Sequence, residues 1–318
     1  MSIRILVLVL LGTVQLTHAQ TYPVKPVRII VPFAPGGGGD FVARLLGQKM
    51  GESWGQQVII ENRGGASGNI GAEAVAKAAP DGYTILLAAS SFVVNPNIYK
   101  SVPYDAVNDF TAITQTTVLP NFLVVHPSLP VKSVQELIVL AKARPGELNY
   151  ASGSAGSSPH LAAELFKYMA GVNIVRIPYR GNALGYTDVI RGQVQLIFPT
   201  ASSVAPHLQS RRLRPLAVTT AQPSVLFPDL PTVAASGVPG YEMATITGMF
   251  APAATPAALI RRLNQEVVRV LLRPDIKERF LNVGVETVGS SPEEFAATIK
   301  SEMGRLGKVI RDAGIRDE

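Results

Sequence analysis

Short apolar runs alternate with helical segments along this chain, and that alternation constrains the fold more than any other feature. The runs are continuous in valine, isoleucine and leucine, which is typical of strands buried on both faces. Strands that alternate with helices over short connections form parallel sheets with helices on both faces. The sequence therefore predicts an α/β fold with parallel-dominated sheets. The predicted strands span residues 27–33, 57–61, 83–89, 121–125, 149–152, 172–178, 194–199, 214–219 and 247–251.

The helical segments begin with recognisable signals. Ser133 and Ser291 each open a capping box, with a glutamate three residues later. Ser158 and Thr255 each precede a proline, which also favours a helix start. The predicted helices span residues 40–52, 70–79, 133–143, 159–170, 184–191, 256–272 and 292–312.

The N-terminus has the three parts of a secretory signal peptide. Arg4 and the terminal amine are positive, residues 5–14 are apolar, and residues 17–19 suit cleavage. The apolar run is too short to span a membrane, and no later segment is continuously apolar over the roughly 20 residues that a span needs. No cysteine stands among the first residues, so we expect no lipid anchor there. We expect residues 1–19 to be cleaved near Ala19, and the protein to be periplasmic rather than membrane-embedded.

The composition excludes several classes of protein. The chain has no cysteine, which excludes disulfides, zinc–thiolate sites and cysteine nucleophiles. The formal net charge is +6, but the basic residues are scattered. Their one cluster, at residues 211–214, has no interleaved aromatic residue, so we expect no nucleic-acid partner. The excess of basic over acidic residues fits the binding of an acidic small molecule, and it fits a role in solubility equally well.

The length of the chain predicts two lobes. About 300 residues follow the signal peptide, and that length usually forms two domains. No linker rich in proline and glycine divides the sequence, so we expect paired crossovers near residues 118–120 and 226–241. The first lobe would then comprise residues 20–120 with about 225–318, and the second about 121–224.

Two segments repeat one order: an apolar strand, a loop of small residues, and the start of a helix. The glycine loop (residues 33–40) contains four consecutive glycines, and the serine loop (residues 152–160) contains four serines. Glycine and serine leave backbone N–H groups uncovered, and a helix N-terminus adds partial positive charge. Two such loops, about 120 residues apart, suggest that two halves of the chain grip one negatively charged ligand.

The glycine loop also has a purely structural interpretation, as a tight turn between strand and helix. Four glycines in succession exceed that need, because each adds entropy to the unfolded chain. We therefore favour ligand contact there, with Asp40 as the helix N-cap. No lysine follows the glycines, which argues against a nucleoside triphosphate site. A further glycine segment, residues 62–71, approaches a dinucleotide motif, but export favours a structural or ligand-adjacent loop.

Residues outside the two runs of small residues are also candidates. Arg180 follows a predicted strand and could pair with a carboxylate or support its loop at the surface; we favour the first interpretation. His160 could be a ligand donor or a surface residue, and the sequence leaves both open. Pro199 and Thr200 end another strand and begin a helix, which makes them further lining candidates.

Catalysis finds almost no support in the sequence. Neither Ser67 nor Ser154 completes the G-x-S-x-G motif of a serine hydrolase. His126, His160 and His207 are far apart and lack the spacing of metal ligands. We therefore expect no enzyme activity, no metal and no cofactor. The sequence leaves two alternatives to an exported protein that binds and delivers a small ligand. They are an exported α/β serine hydrolase and a ligand-sensing subunit for a membrane signalling kinase.

Seven segments together carry a resemblance to a known family: residues 32–40, 61–71, 80–84, 150–161, 178–181, 192–194 and 227–233. They resemble the substrate-binding proteins of tripartite tricarboxylate transporters, the Bug/TctC family. The resemblance implies a two-lobe periplasmic binding protein fold, type II-like, with a ligand cleft between the lobes. It further implies hinge closure on a small carboxylate, such as a di- or tricarboxylate, an acidic amino acid or an aromatic acid, and delivery to a membrane permease.

In this family the ligand carboxylate is held largely by backbone groups and ordered water from loops that face the cleft. We expect the protein to act as a monomer. The predicted ligand-binding residues are Phe33, Ala34, Gly36, Gly37, Gly38, Gly39, Asp40, Ser90, Ser91, Ser152, Gly153, Ser154, Gly156, Ser157, Ser158, His160, Arg180, Gly181, Pro199 and Thr200.

Overall fold

The computed structural model describes residues 22–33, 35–36, 38–89, 91–153, 155–179, 182–224 and 227–316, and the predicted signal peptide lies outside them. The strands are β1 (Val27–Val31), β2 (Val58–Asn62), β3 (Thr84–Ala89), β4 (Phe110–Pro120), β5 (Phe122–Val125), β6 (Asn149–Ser152), β7 (Val175–Pro178), β8 (Leu196–Ile197), β9 (Arg214–Val218), β10 (Ala244–Pro252) and β11 (Glu286–Thr287). The α-helices are α1 (Gly38–Trp54), α2 (Asn69–Ala76), α3 (Ser91–Val94), α4 (Val134–Ala143), α5 (Ser158–Ala170), α6 (Asn182–Ile190), α7 (Ala201–Gln209), α8 (Ala257–Leu271), α9 (Pro274–Leu281) and α10 (Pro292–Asp312).

The strands form two sheets. The first sheet has the order β11-β4-β10-β3-β1-β2, in which β1 pairs in parallel with β2 and β3. Its strand β10 pairs antiparallel with β3 and β4. The second sheet has the order β7-β6-β8-β5-β9, in which β6 is parallel to β7 and β8. Its strand β5 is antiparallel to β8 and β9.

The predicted α/β fold with two sheets is confirmed, but both sheets are mixed rather than parallel-dominated. The chain leaves the first sheet through β4 and returns to it through β10. The chain leaves at the end of β4 and returns at the beginning of β10, and the two strands are neighbours. They therefore run in opposite directions. In the second sheet β5 and β9 are the entering and leaving strands, and they are antiparallel for the same reason. The paired crossovers therefore account for the antiparallel pairing of β10 with β4 and of β9 with β5.

Asn121 and Thr219 form a hydrogen-bonded node where the two crossovers meet. The Asn121 N–H donates to the Thr219 hydroxyl over 3.0 Å, and the Thr219 N–H donates to the Asn121 carbonyl over 2.9 Å. The Thr219 hydroxyl donates over 2.5 Å to the carbonyl of Met243, just before β10. Both Asn121 and Thr219 are completely buried. The node therefore holds the two connecting segments side by side.

The strand that leads to the first crossover, β4, is not predicted from the sequence. It looks polar because of its threonines, yet Thr114, Thr116 and Thr117 are completely buried. The Thr114 hydroxyl donates to the Ser290 carbonyl over 2.7 Å, and the Thr116 hydroxyl donates to the Thr247 carbonyl over 2.9 Å. Since buried hydroxyls with such partners are tolerated, a buried strand needs no continuous apolar run.

The continuous run of β1 reflects burial on both faces of the first sheet. Ile29 and Ile30 point to opposite faces and are 0% and 1% exposed. Ile29 belongs to an apolar cluster with Leu46 of α1, whereas Ile30 belongs to a cluster that also contains Phe166 of α5. Apolar packing therefore continues from the first sheet to the second.

In the described part of the chain, no helix combines the length and apolar character needed to cross a membrane.

Gly248 in β10 offers a test of how closely α10 packs on the first sheet. A Cβ at Gly248 would collide with the buried ring of Phe295. We expect Gly248→Ala to lower the free energy of unfolding by about 1–3 kcal/mol, because the packed interior must shift. Gly304→Ala is the control, since a Cβ there meets nothing within 4 Å and alanine favours the helix. Urea denaturation measures both variants, and wild-type stability of Gly248→Ala would contradict this packing.

Candidate functional site

A cavity of about 350 Å³ is lined by residues of β3, β4 and β10 in the first sheet and by the start of α5, which follows β6 of the second sheet. This volume is at the lower end of the range for small-molecule sites, roughly 300–1,000 Å³. None of the described lining residues has a charged side chain. Nor do three or more His, Asp or Glu side chains of the described residues come close enough to hold a metal. The lining residues are Phe33, Gly38, Gly39, Ser67, Ala89, Asn95, Leu119, Gly156, Ser157, Ser158, Pro159, Leu161, Thr200, Met243, Ala244, Thr245, Thr247 and Leu306.

The structure brings the glycine and serine loops together at this cavity. The predicted site residues that line it are Phe33, Gly38, Gly39, Gly156, Ser157, Ser158 and Thr200. Those that lie outside the lining are Gly36, Asp40, Ser152, Gly153, His160 and Pro199. Only the backbone of Ser91, at the start of α3, is described. The predicted residues outside the described part of the chain are Ala34, Gly37, Ser90, Ser154, Arg180 and Gly181.

Two helix N-termini border the cavity. α1 begins at Gly38, and α5 begins at Ser158 with Pro159 in its first turn. The first amides of a helix have no partner within the helix, and the helix dipole adds partial positive charge there. The arrangement can therefore attract an anion without a lysine or arginine among the described lining residues.

The backbone conformation does not require glycine at positions 38 and 39. Neither residue has a positive φ. A Cβ at Gly38 would lie 3.5 Å from Leu119, and one at Gly39 would lie 3.5 Å from Phe33, both ordinary contacts. Leu119 and Phe33 line the cavity, so side chains at these positions would take up space at its wall. This supports the prediction that the glycines make room for a ligand.

Asp40 fixes the glycine loop in place. Because α1 begins at Gly38, Asp40 lies in the first turn and is not the N-cap that the sequence predicts. Its buried carboxylate accepts hydrogen bonds of 2.9 Å each from the Gly36 N–H, Arg44 and Asn62. Burial by itself would raise the pKa of Asp40, but these hydrogen bonds outweigh it and lower that pKa. The ionised carboxylate therefore connects the loop to α1 and β2.

His160 supports the serine loop from within the protein. It is 4% exposed, and its Nδ1 accepts a hydrogen bond of 3.1 Å from the Gly156 N–H. Burial, with smaller effects of Arg176 and Lys167, lowers the pKa of His160 to about 3. The ring is therefore neutral near pH 7. His160 is a buried residue that positions Gly156, an outcome that neither interpretation from the sequence included.

Arg176 of β7 holds the beginning of the same loop. Its Nε donates to the Ser152 hydroxyl and its Nη2 donates to the Gly153 carbonyl, each over 2.8 Å. Ser152 is completely buried. Ser152 and Gly153 therefore shape the loop instead of lining the cavity. Sequence analysis does not identify Arg176, because one basic residue in a short strand forms no motif.

A network of polar side chains joins the crossover node to the start of α5. The Ser158 hydroxyl donates to Oδ1 of Asn121 over 2.8 Å and accepts from the Thr245 hydroxyl over 2.7 Å. Nδ2 of Asn121 donates to the Phe198 carbonyl over 2.8 Å. Ser158 and Thr245 both line the cavity. The network therefore aligns the cavity wall with the segments that connect the sheets.

Comparison with known proteins identifies the family. A sequence model of the tripartite tricarboxylate transporter family receptor, TctC, matches residues 42–315. The chain belongs to the TctC family. Members of this family are periplasmic substrate-binding proteins rather than enzymes, which argues against the hydrolase alternative. A relative from Pseudomonas sp. (strain P51), the UPF0065 protein in the tcbD-tcbE intergenic region, is 38% identical over 94% of this chain and 90% of its own length.

Solved structures show the same TctC architecture. Rpa4515 of R. palustris, solved with adipate, is 39% identical and superposes with a TM-score of 0.83 over 92% of this chain and 98% of its own. MatC from Rhodopseudomonas palustris, solved with bound malate, is 28% identical and has a TM-score of 0.79 over 91% of this chain and 100% of its own. The predicted periplasmic binding protein fold is therefore confirmed.

The buried histidine makes stability depend on pH. The pKa of His160 is about 3 in the folded protein and about 6.5 in the unfolded chain, so between these values the unfolded chain binds more protons. The contribution of His160 to the free energy of unfolding is therefore most favourable above about pH 6.5. As the pH falls below that value, the free energy of unfolding decreases by up to about 1.4 kcal/mol for each pH unit. In His160→Gln this dependence should be absent, because the amide can accept from Gly156 but does not titrate.

Urea denaturation of wild type and His160→Gln between pH 7.5 and 4.5 measures this effect. The stability of the wild type relative to the variant should decrease as the pH falls. Parallel pH profiles would show that His160 is not a buried neutral residue.

Proposed function

We propose that this TctC family protein captures a small carboxylate in the cavity and delivers it to a tripartite tricarboxylate-type membrane transporter. The observation that carries this proposal is that the N-termini of α1 and α5 border one cavity whose described lining is uncharged. Helix N-termini are suited to anions. The adipate and malate in the solved relatives favour a small organic acid.

Ser157 is the side chain best placed to meet the carboxylate. It precedes α5 and lines the cavity, and its hydroxyl does not cap the helix. Its Oγ is buried and has no hydrogen-bond partner among the described residues. Leaving a buried hydroxyl unpaired costs free energy, and a ligand carboxylate would supply the partner. In this proposal Ser157 and the first amides of α5 bind the same carboxylate.

We also propose that binding closes the lobes about the Asn121–Thr219 node. The proposed lobes are residues 20–120 with about 225–318, and residues 121–224. All strands of the first sheet fall in the first lobe and all strands of the second sheet fall in the second, which supports this division. A ligand that contacts the glycine and serine loops together favours the closed population over the open one.

The N-terminus and the oligomeric state bear on how the mature protein forms and acts. The charged, apolar and small-residue parts of the N-terminus support cleavage of residues 1–19 near Ala19. We propose that the mature protein acts as a monomer and presents its ligand to the permease subunits of the transporter.

Two serines that precede helices should respond differently to substitution. Ser133 caps α4 by accepting the Glu136 N–H over 3.1 Å and lies outside the cavity lining. Ser133→Ala should lower the free energy of unfolding by about 1 kcal/mol and leave ligand affinity unchanged. Ser157→Ala should be at least as stable as the wild type, because it removes a buried hydroxyl that has no partner among the described residues. It should bind carboxylate roughly tenfold more weakly, because a hydrogen bond to a charged group is lost.

Isothermal titration calorimetry with adipate, malate and other small acids, on protein freed of co-purified ligand, measures affinity. Thermal denaturation measures the stability of both variants. A wild-type protein that binds none of these acids would contradict the proposed function. Wild-type affinity in Ser157→Ala would contradict only the role of Ser157.

A further inference from the structure

A buried hydrogen-bond acceptor without a partner lies in the cavity wall. Asn95 begins a single-turn 3₁₀ helix (Asn95–Asn97), is 1% exposed and lines the cavity. Its Oδ1 has no hydrogen-bond partner among the described residues. The atom lies near the serine loop, since a Cβ built on Gly156 would be 3.9 Å from it. A buried carbonyl in this state loses its hydration without compensation.

Hydrogen bonds fix the orientation of the Asn95 amide. Its Nδ2 donates to the Ser67 carbonyl over 3.1 Å and to Oδ1 of Asn69 over 2.7 Å. Turning the amide over would place its oxygen against the Ser67 carbonyl, which can only accept. Oδ1 of Asn69 also accepts from the Tyr104 hydroxyl over 2.9 Å. The unpartnered atom is therefore an acceptor, and it is held in a fixed position.

The backbone of Ser67, which lies beside Asn95, is strained. Ser67 lines the cavity and has a φ of 52°, in the left-handed region that serine rarely adopts. Its hydroxyl is hydrogen-bonded to the Tyr99 hydroxyl. Backbone strain of this kind is found at ligand sites, where surrounding contacts maintain it. Ser67 and Asn95 therefore form a polar part of the cavity wall beside the serine loop.

We propose that the ligand carries a hydroxyl that donates to Oδ1 of Asn95, so that the protein prefers hydroxycarboxylates to the same acids without the hydroxyl. This inference rests on the proposed carboxylate function of the cavity. An ammonium group could also donate, but none of the described lining residues is an aspartate or glutamate that would neutralise it. The two helix N-termini add further positive potential. A neutral hydroxyl is therefore the donor that this cavity accepts.

Matched acids test the preference directly. Calorimetry compares malate with succinate, 2-hydroxyglutarate with glutarate, 2-hydroxyadipate with adipate, and malate with aspartate. For at least one chain length, the wild-type protein should bind the hydroxy acid about tenfold more tightly than its unsubstituted partner. Aspartate should bind more weakly than malate. If water instead pairs with Oδ1 of Asn95, the hydroxy acid and its unsubstituted partner should bind equally well at every chain length. That result would overturn the proposal.

Two variants assign the preference to Asn95. Asn95→Ala should bring the ratio of the two affinities close to one. Asn97→Ala is the matched control from the same 3₁₀ helix, because Asn97 lies outside the cavity lining, and it should keep the wild-type ratio. An unchanged ratio in folded Asn95→Ala would overturn the proposal.

A crystal structure of the wild-type complex gives the answer without a variant, should Asn95→Ala fail to fold. The ligand hydroxyl should lie within hydrogen-bond distance of Oδ1 of Asn95, and a hydroxyl elsewhere would overturn the proposal. Failure of all the acids to bind would overturn the carboxylate function as well. Binding without a hydroxyl preference would overturn this inference alone.

Discussion

The hydrogen-bonded pair of Asn121 and Thr219 is the contact on which the rest of the structure depends. It lies where the chain crosses between the sheets in both directions. The side chain of Asn121 extends this contact to Ser158 at the start of α5. Because Asn121 and Thr219 are completely buried, each lost partner would cost about 1–3 kcal/mol. The relative position of the two sheets, and of the cavity, therefore depends on this polar pair in addition to the apolar packing that continues from one sheet to the other.

The charged residues near the site act behind the loops instead of in the described cavity lining. Asp40 and Arg44 hold the glycine loop, and Arg176 holds the serine loop. Rigid loops then present backbone amides and hydroxyls to the cavity. Partial charges attract a carboxylate without burying a full charge that would need a partner in the absence of ligand. They also hold the ligand less tightly than a buried ion pair, which suits a receptor that must release it.

Local patterns made much of the fold predictable from the sequence. The apolar run of β1, the capping box at Ser291 and the helix start at Ser158 each depend on neighbouring residues, and the structure contains all three. The glycine and serine loops were recognisable because a helix follows each of them. Of the elements that were missed, β11 has two residues and α3 has four, too few for a periodic pattern.

The roles of individual site residues depend on contacts between distant segments. Thr114 and Thr116 of β4 look like exposed polar residues until the carbonyls that accept their hydroxyls are known. His160 supports the serine loop because Gly156 lies close to it, and the amide of Asn95 is fixed by the distant residues Ser67 and Asn69. No spacing in the sequence encodes these contacts. The sequence can therefore identify the loops that form the cavity, but not which of their side chains reach it.

An NMR titration tests whether one bound acid contacts the N-termini of both α1 and α5, as we propose. The amide signals of Gly38, Gly39 and Ser158 in deuterated, ¹⁵N-labelled protein are followed as the tightest-binding acid is added. We expect all three signals to shift with the Kd found by calorimetry, and the amide signal of Gln135, in the first turn of α4, to stay unchanged. Shifts at only one of the two helix starts, or at neither, would contradict this proposal.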